Sequence, residues 1–112
     1  MDIVVLIPCY NEAKTITKVI QDFKRELPSA RIVVFDNDST DDSAKLAQEA
    51  GAEVVIEKRQ GKGYLVQKMF ELIKADIYVL VDGDDTYFAR DVHKIFRCET
   101  IAPKNLDAVR LK

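Results

Sequence analysis

Ile3-Val4-Val5-Leu6-Ile7-Pro8-Cys9-Tyr10-Asn11-Glu12 opens on five apolar residues in a row and then turns abruptly polar. A continuous apolar run, rather than an alternating one, is the pattern of a parallel strand covered on both faces. Asn11 is placed to cap a following helix in which Ile16, Val19, Ile20, Phe23 and Leu27 share one face, and Pro28 stops it. The same alternation continues along the chain. Arg31 to Phe35 reads as a second strand, followed by a polar loop from Asp36 to Asp42. A short helix runs from about Asp41 to Ala50, with Ser39 or Thr40 as its cap and Gly51 just past its end. Ala52 to Ile56 is a third strand, and a third helix starts near Gly63 with Val66, Met69, Phe70 and Ile73 on its buried face. Ile77 to Val81 is a fourth strand, Arg90 to Thr100 a fourth helix carrying Val92, Ile95 and Phe96, and Asp107 to Leu111 the start of a fifth strand.

Strands alternating with helices imply an α/β fold, a parallel sheet with right-handed crossovers and helices on both faces. Such sheets bind ligands in the crevice beyond the carboxyl ends of their strands. Four loops fall on that edge: Pro8 to Glu12, Asp36 to Asp42, Glu57 to Gly63, and Asp82 to Tyr87. Every unusual polar cluster of the sequence is therefore expected on one rim.

The chain has 112 residues, 47% hydrophobic and 32% charged, an ordinary composition for one globular domain. A formal net charge of −2 argues against nucleic acid or an anionic membrane as the main partner. No apolar run approaches the roughly 18 residues that a membrane span requires. The N-terminal apolar run is preceded by an acid and ended by Pro8, unlike a signal peptide. Cys9 and Cys98 have no metal-site or disulfide spacing and read as packing residues of a reducing cytoplasm.

The rim loops differ in what they offer. Pro8, Tyr10, Asn11 and Glu12 combine a rigid turn, an aromatic face, an amide and a carboxylate, groups that suit a planar heterocycle. Helix capping by Asn11 and core packing by Tyr10 is the competing explanation. The acidic loop from Asp36 is not a calcium loop, since Asp41 and Ala47 stand where an EF-hand needs Gly and Glu. Asp36, directly at the strand end, is the member best placed to read a base or ribose. Lys58-Arg59-Gln60-Gly61-Lys62-Gly63 is basic, rich in glycine and opens a helix, which suits an anion. It matches neither a Walker A loop nor a dinucleotide fingerprint. His93, the single histidine, reads as a surface or packing residue.

Val79-Leu80-Val81-Asp82-Gly83-Asp84-Asp85 ends an apolar strand in three carboxylates within four positions. In extended backbone, residues two apart project to the same side, so Asp82 and Asp84 can face one object. Packed carboxylates repel unless a cation sits among them, and oxygen-only ligands favour Mg²⁺ or Mn²⁺ shared with substrate phosphates. An Asp82-Gly83 hairpin turn is the alternative, but Asp84 to Phe88 makes a poor returning strand.

Taken together, Ile7-Pro8-Cys9-Tyr10-Asn11-Glu12, Asp36 to Asp41, Gln60-Gly61-Lys62-Gly63 and Asp82-Gly83-Asp84-Asp85 resemble the inverting family 2 glycosyltransferases. Within that family the chain is most similar to the dolichyl- or polyprenyl-phosphate sugar synthases. The resemblance implies a Rossmann-like, GT-A fold whose N-terminal half binds a nucleotide-diphosphate sugar, UDP- or GDP-linked, with Mg²⁺ or Mn²⁺. Carried over by position, Pro8, Tyr10, Glu12 and Asp36 would hold the nucleoside, with Lys62 near the nucleotide. Asp82 and Asp84 would form the D-x-D element, Asp84 as direct metal ligand and Asp82 contacting ribose or metal.

Family members continue through a second half that holds the acceptor and the general base. The expectation is that residues 1–112 form one nucleotide-sugar-binding domain, the donor half of an incomplete catalytic domain, with no general base of its own. The implied acceptor is a polyprenyl or dolichyl phosphate, and the implied location is the cytoplasm, including its membrane face. An open sheet edge at Asp107 to Leu111 adds an expectation of self-association, most simply as a symmetric dimer. From another functional class, a non-catalytic nucleotide-binding or regulatory module would use the same cleft. A phospho-receiver domain is disfavoured, because it needs an acidic pair where this chain has Pro8-Cys9-Tyr10.

Overall fold

The computed structural model describes residues 2–81 and the backbone of Asp107–Arg110. The expected helix from Arg90 to Thr100, the loop from Asp82 to Tyr87, His93 and Cys98 lie outside the described residues. In chain order the elements are β1 (Ile3–Cys9), α1 (Ile16–Glu26), β2 (Arg31–Asp36), α2 (Ser43–Glu49), β3 (Glu53–Ile56), α3 (Lys62–Leu72), β4 (Ile77–Leu80) and β5 (Asp107–Arg110). They form one sheet in the order β3-β2-β1-β4-β5.

Strands β1 to β4 are parallel, with Ile7 opposite Val34, Val5 opposite Val79 and Val34 opposite Val54. β1 is the central strand, and both of its faces are buried. Its alternation divides the core in two. Val5, Ile7 and Cys9 meet Ile16, Val19, Ile20 and Phe23 of α1 and Ala47 of α2 on one face. Val4 and Leu6 meet Leu65 and Met69 of α3, with Phe35, Ile73 and Tyr78, on the other.

β5 departs from the expected direction. It runs antiparallel to β4, with Leu80 opposite Asp107 and Ile77 opposite Arg110. Residue alternation identifies a strand but carries no information about its direction, and an antiparallel edge strand on a parallel sheet is common. The pairing sets the backbone of Asp107 beside the carboxyl end of β4, on the ligand-binding edge.

Two local expectations also change. Asn11 does not cap α1, which starts five residues later behind Thr15 and has no side-chain cap. Ser39 and Thr40 do not cap α2, whose N-cap is Asp42. α1 buries the face expected of it, whereas α3 does not: Leu65 and Met69 are buried, Val66 is only partly so, and Phe70 is 41% exposed. α3 carries apolar residues on more than one side, and the sheet selects the Leu65–Met69–Ile73 stripe. Gly51, with φ +94°, follows α2 as expected for a left-handed helix end. Among the described residues no helix is long and apolar enough to cross a membrane.

Candidate functional site

At the carboxyl edge of the sheet the loops after β1, β2 and β3 come together around a cleft of about 230 Å³. Its lining is Pro8, Cys9, Tyr10 and Glu12 from the end of β1 and its loop, Asn37 from the end of β2, and Gln60, Lys62 and Leu65 around the start of α3. Of the residues singled out in the sequence, Pro8, Tyr10, Glu12 and Lys62 are thus brought to one cavity. Tyr10 is 46% exposed, so its ring has an open face to offer. Asp36 is 1% exposed and is absent from the lining. Its Oδ2 accepts from the Ser39 N–H at 2.8 Å and its Oδ1 from the Ser39 hydroxyl at 2.6 Å.

Polar side chains, not apolar burial, fix the first two loops against each other. Asn11 sits at φ +54°, a left-handed conformation that asparagine tolerates. Its Oδ1 accepts from the N–H groups of Thr40 at 2.9 Å and Asp41 at 3.3 Å, and from the Thr40 hydroxyl at 3.2 Å. Its own N–H donates to Ser39 Oγ at 2.9 Å. Ser43, fully buried, accepts from the Glu12 N–H at 2.7 Å and donates to Asp41 Oδ1. The Ser43 hydroxyl above all, with backbone N–H groups that include those of Ser43 and Ala13, holds the Asp41 carboxyl below the usual carboxylate range. Tyr10 and Glu12 therefore stand on a braced backbone.

The third loop is fixed in a different way. Glu57 accepts from the guanidinium of Arg59 at 2.9 Å and from the Arg59 N–H at 3.3 Å. The Arg59 partnership depresses the Glu57 carboxyl below its ordinary range. The same guanidinium lies 4.7 Å from the centre of the Tyr64 ring, a cation–π distance. Arg59 is thus occupied within the loop. α3 begins at Lys62, as the basic stretch suggested.

Cys9 lines the cleft, but burial above all, with the Asp36 charge second, pushes its thiol up to about 12. It is a neutral packing group at ordinary pH. Asn37, Gln60 and Leu65 were given no role from the sequence. Asn37 and Gln60 do stand in its motif stretches, yet nothing there distinguishes a turn residue from one that borders a cavity.

Among the described residues no group of three or more His, Cys, Asp or Glu could hold a metal ion. Val81, the last residue before Asp82, donates its N–H to Leu6 O at 3.0 Å. The chain thus leaves β4 at the carboxyl edge, next to β1. Asp82 and Asp84 come next in the sequence and lie outside the described residues. Their carboxylates are the hard oxygen donors that Mg²⁺ or Mn²⁺ takes, so the donor set fits such an ion.

Comparison with known proteins identifies the family and the fold. Residues 4–97 match the model of glycosyl transferase family 2. Protein RfbJ of Shigella flexneri is 57% identical over 88 residues, covering 79% of this chain and 68% of its own. Glycosyltransferase AglJ of Haloferax volcanii is 44% identical over 92 residues, 81% of this chain but 30% of that protein. Glucosyl-3-phosphoglycerate synthase from Mycobacterium tuberculosis, in complex with Mn²⁺, UDP and phosphoglyceric acid, superposes with a TM-score of 0.67. It is 30% identical, and the match covers 73% of this chain and 32% of the synthase. The chain thus spans about two thirds of the length of RfbJ but only about a third of AglJ and of the synthase, and the shared portion has the GT-A, Rossmann-like fold.

Proposed function

Because the chain belongs to glycosyl transferase family 2, we propose that the rim cleft seats the nucleotide of a nucleotide-diphosphate sugar. In this reading Tyr10 supplies a stacking face, Pro8 and Glu12 border the nucleoside, and the backbone and side chain of Lys62 serve the phosphates. Asp36 supports the nucleoside end by fixing Ser39, its carboxylate keeping lone pairs beyond the two that Ser39 uses. Asp82 and Asp84 hold Mg²⁺ or Mn²⁺, an ion that neutralises charge on the diphosphate leaving group. The observation that carries the proposal is the cleft itself: two loops far apart in sequence bring Pro8, Tyr10 and Glu12 to Lys62 at the edge where β4 leads into Asp82.

Calorimetry with UDP and GDP, with and without Mn²⁺, tests it. Binding of one nucleotide that is lost on chelation is expected. Equal binding after chelation overturns the metal assignment, and no binding of either overturns the site. Asp84→Asn is expected to weaken that binding more than Asp85→Asn, by at least about 1.5–3 kcal/mol, the scale of a charged contact. The finer part of the proposal is that the sugar is transferred to a polyprenyl or dolichyl phosphate. A transfer assay with lipid-phosphate and soluble phosphate acceptors side by side decides that part.

A further inference from the structure

We infer that Asn37 is a positioning residue for the diphosphate end of the cleft, acting by locking the basic loop before α3 into place. The inference rests on the nucleotide-binding reading above and concerns a side chain to which that reading gives no role. Asn37 is 5% exposed and directly follows β2, and its N–H donates to Cys9 O at 2.8 Å. Its side-chain Nδ2 donates to two backbone carbonyls of the next loop, Glu57 O and Arg59 O, each at 2.8 Å. Oδ1 accepts from the Gly61 N–H at 2.9 Å, and the Asn37 carbonyl accepts from Gln60 Nε2 at 2.8 Å.

These partners settle the amide's orientation chemically. Two carbonyls face one end and an N–H the other, so a rotated amide would set oxygen against oxygen. Both amide hydrogens are consumed, and Nδ2 has no donor left for a ligand. The side chain therefore works through the loop. One residue ties the ends of β1, β2 and β3 together, and it does so where Gly61 takes φ +134°, a conformation closed to most side chains. Released from Asn37, Gly61 and its neighbours recover a wide range of backbone states, and that entropy must be lost again when an anion binds. With Asn37 in place, the start of α3 and its Lys62 are presented ready-formed.

The nucleoside end of the cleft is built differently. Tyr10 and Glu12 are braced by Asn11, Ser39 and Ser43, none of which Asn37 touches through its side chain. Loss of the Asn37 amide is thus expected to separate two affinities that a general loss of structure would lower together. The experiment compares UDP with uridine by calorimetry in the presence of Mn²⁺, using GDP and guanosine if the chain prefers guanine. Trypsin cleavage after Lys58 and Arg59, without nucleotide, is followed in parallel.

Asn37→Ala is expected to weaken UDP binding about tenfold, the scale of one lost charge-assisted contact, while uridine binding stays within about twofold. Cleavage after Arg59 speeds up in the same variant. If Asn37→Ala does not fold, Gly61→Ala serves instead. A Cβ there would meet nothing nearer than Tyr64 Cδ2 at 3.5 Å, so its effect is confined to the disallowed φ. It should produce the same split. Arg31→Ala, which removes an ion pair to Glu53 on a distant part of the sheet, controls for plain destabilisation and should leave the UDP to uridine ratio unchanged. Equal losses of UDP and uridine, or no change in a folded Asn37→Ala, overturn the inference. A wild-type chain that binds neither nucleotide overturns the function reading instead, and the trypsin arm then still decides whether Asn37 holds the loop.

Discussion

The two faces of the sheet are covered by helices of similar length but are secured by different physics. On one face α1 presents Ile16, Val19, Ile20 and Phe23, all buried, and keeps Lys18, Asp22 and Arg25 on the outside as surface ion pairs. On the other face α3 buries Leu65 and Met69 but leaves Tyr64, Phe70 and Leu72 exposed. Its two ends are held by polar contacts. The Tyr78 hydroxyl binds the turn after α3, and the Glu57–Arg59–Tyr64 cluster braces its approach. α1 is held chiefly by its buried apolar stripe, whereas α3 buries a narrower stripe and adds polar contacts at both of its ends. The cleft draws Lys62 and Leu65 from the second face.

The largest expected effect tests the difference in burial. Phe23 is 1% exposed at the centre of the α1 face, so Phe23→Ala should cost about 3–5 kcal/mol of stability through lost transfer energy and a cavity. Phe70→Ala should cost about 1 kcal/mol, because that ring mainly offers an edge contact to Tyr78 at 5.2 Å between centroids. Urea unfolding of both variants measures the pair. Equal costs would mean that the exposed side of α3 is covered in solution, and the contrast between the faces would fail.

That contrast also explains which parts of the fold were legible in the sequence. α1 has one apolar stripe, so periodicity alone identified its buried face. α3 has Tyr64, Leu65, Val66, Met69, Phe70 and Leu72 spread around it, and only the position of the sheet selects among the possible stripes. The parallel order of β1 to β4 followed from alternation, but the direction of β5 did not, since nothing local to Asp107–Arg110 encodes it. At the rim, the motif residues marked the correct edge. Their individual contacts were hidden because the partners are distant in sequence. Asn11 was assigned to the nearest helix, whereas its Oδ1 binds Thr40 and Asp41, across the cleft edge. Asp36 was read as facing a base or ribose, and its buried carboxylate has a second employment, the bonds to Ser39, that the sequence did not announce. A carboxylate at a strand end carries the same sequence signal in either orientation.

A smaller effect sharpens the comparison at the far end of α3. The Tyr78 hydroxyl, buried, donates to Ile73 O at 2.7 Å and accepts from the Ala75 N–H at 3.0 Å. Tyr78→Phe removes a single oxygen and leaves both backbone groups without that partner, at a cost of about 1–3 kcal/mol. Amide hydrogen exchange should quicken at Ala75 and over the last turn of α3 more than in α1. Uniform acceleration across both helices would show that the hydroxyl supports the whole sheet and not the α3 face alone.

The smallest effect is a pH dependence confined to the loop before α3. Arg59 holds the Glu57 carboxyl below its ordinary range, chiefly by its side-chain hydrogen bonds, with nearby Lys68 adding to the shift. A carboxylate whose pKa is lowered in the folded state stabilises that state above the unfolded value, about 4.3 for Glu, and the contribution is lost as pH falls through the lower, folded value. At neutral pH the contribution is complete, so the expected change begins only below about pH 4.3. Because Arg59 is half exposed, water and salt screen the pair, and the change should be slight and smaller in concentrated salt. It should appear in residues 57–61 as faster amide exchange, relative to intrinsic rates, while Val33 and Val34 in the core remain protected. Glu57→Gln should remove the acid response, leaving a loop whose exchange does not change as pH falls from 7 to about 3, well below the unfolded value. If loop and core strands loosen together on acidification, the carboxylate is coupled to global unfolding, and the second face is no more dependent on its polar contacts than the first.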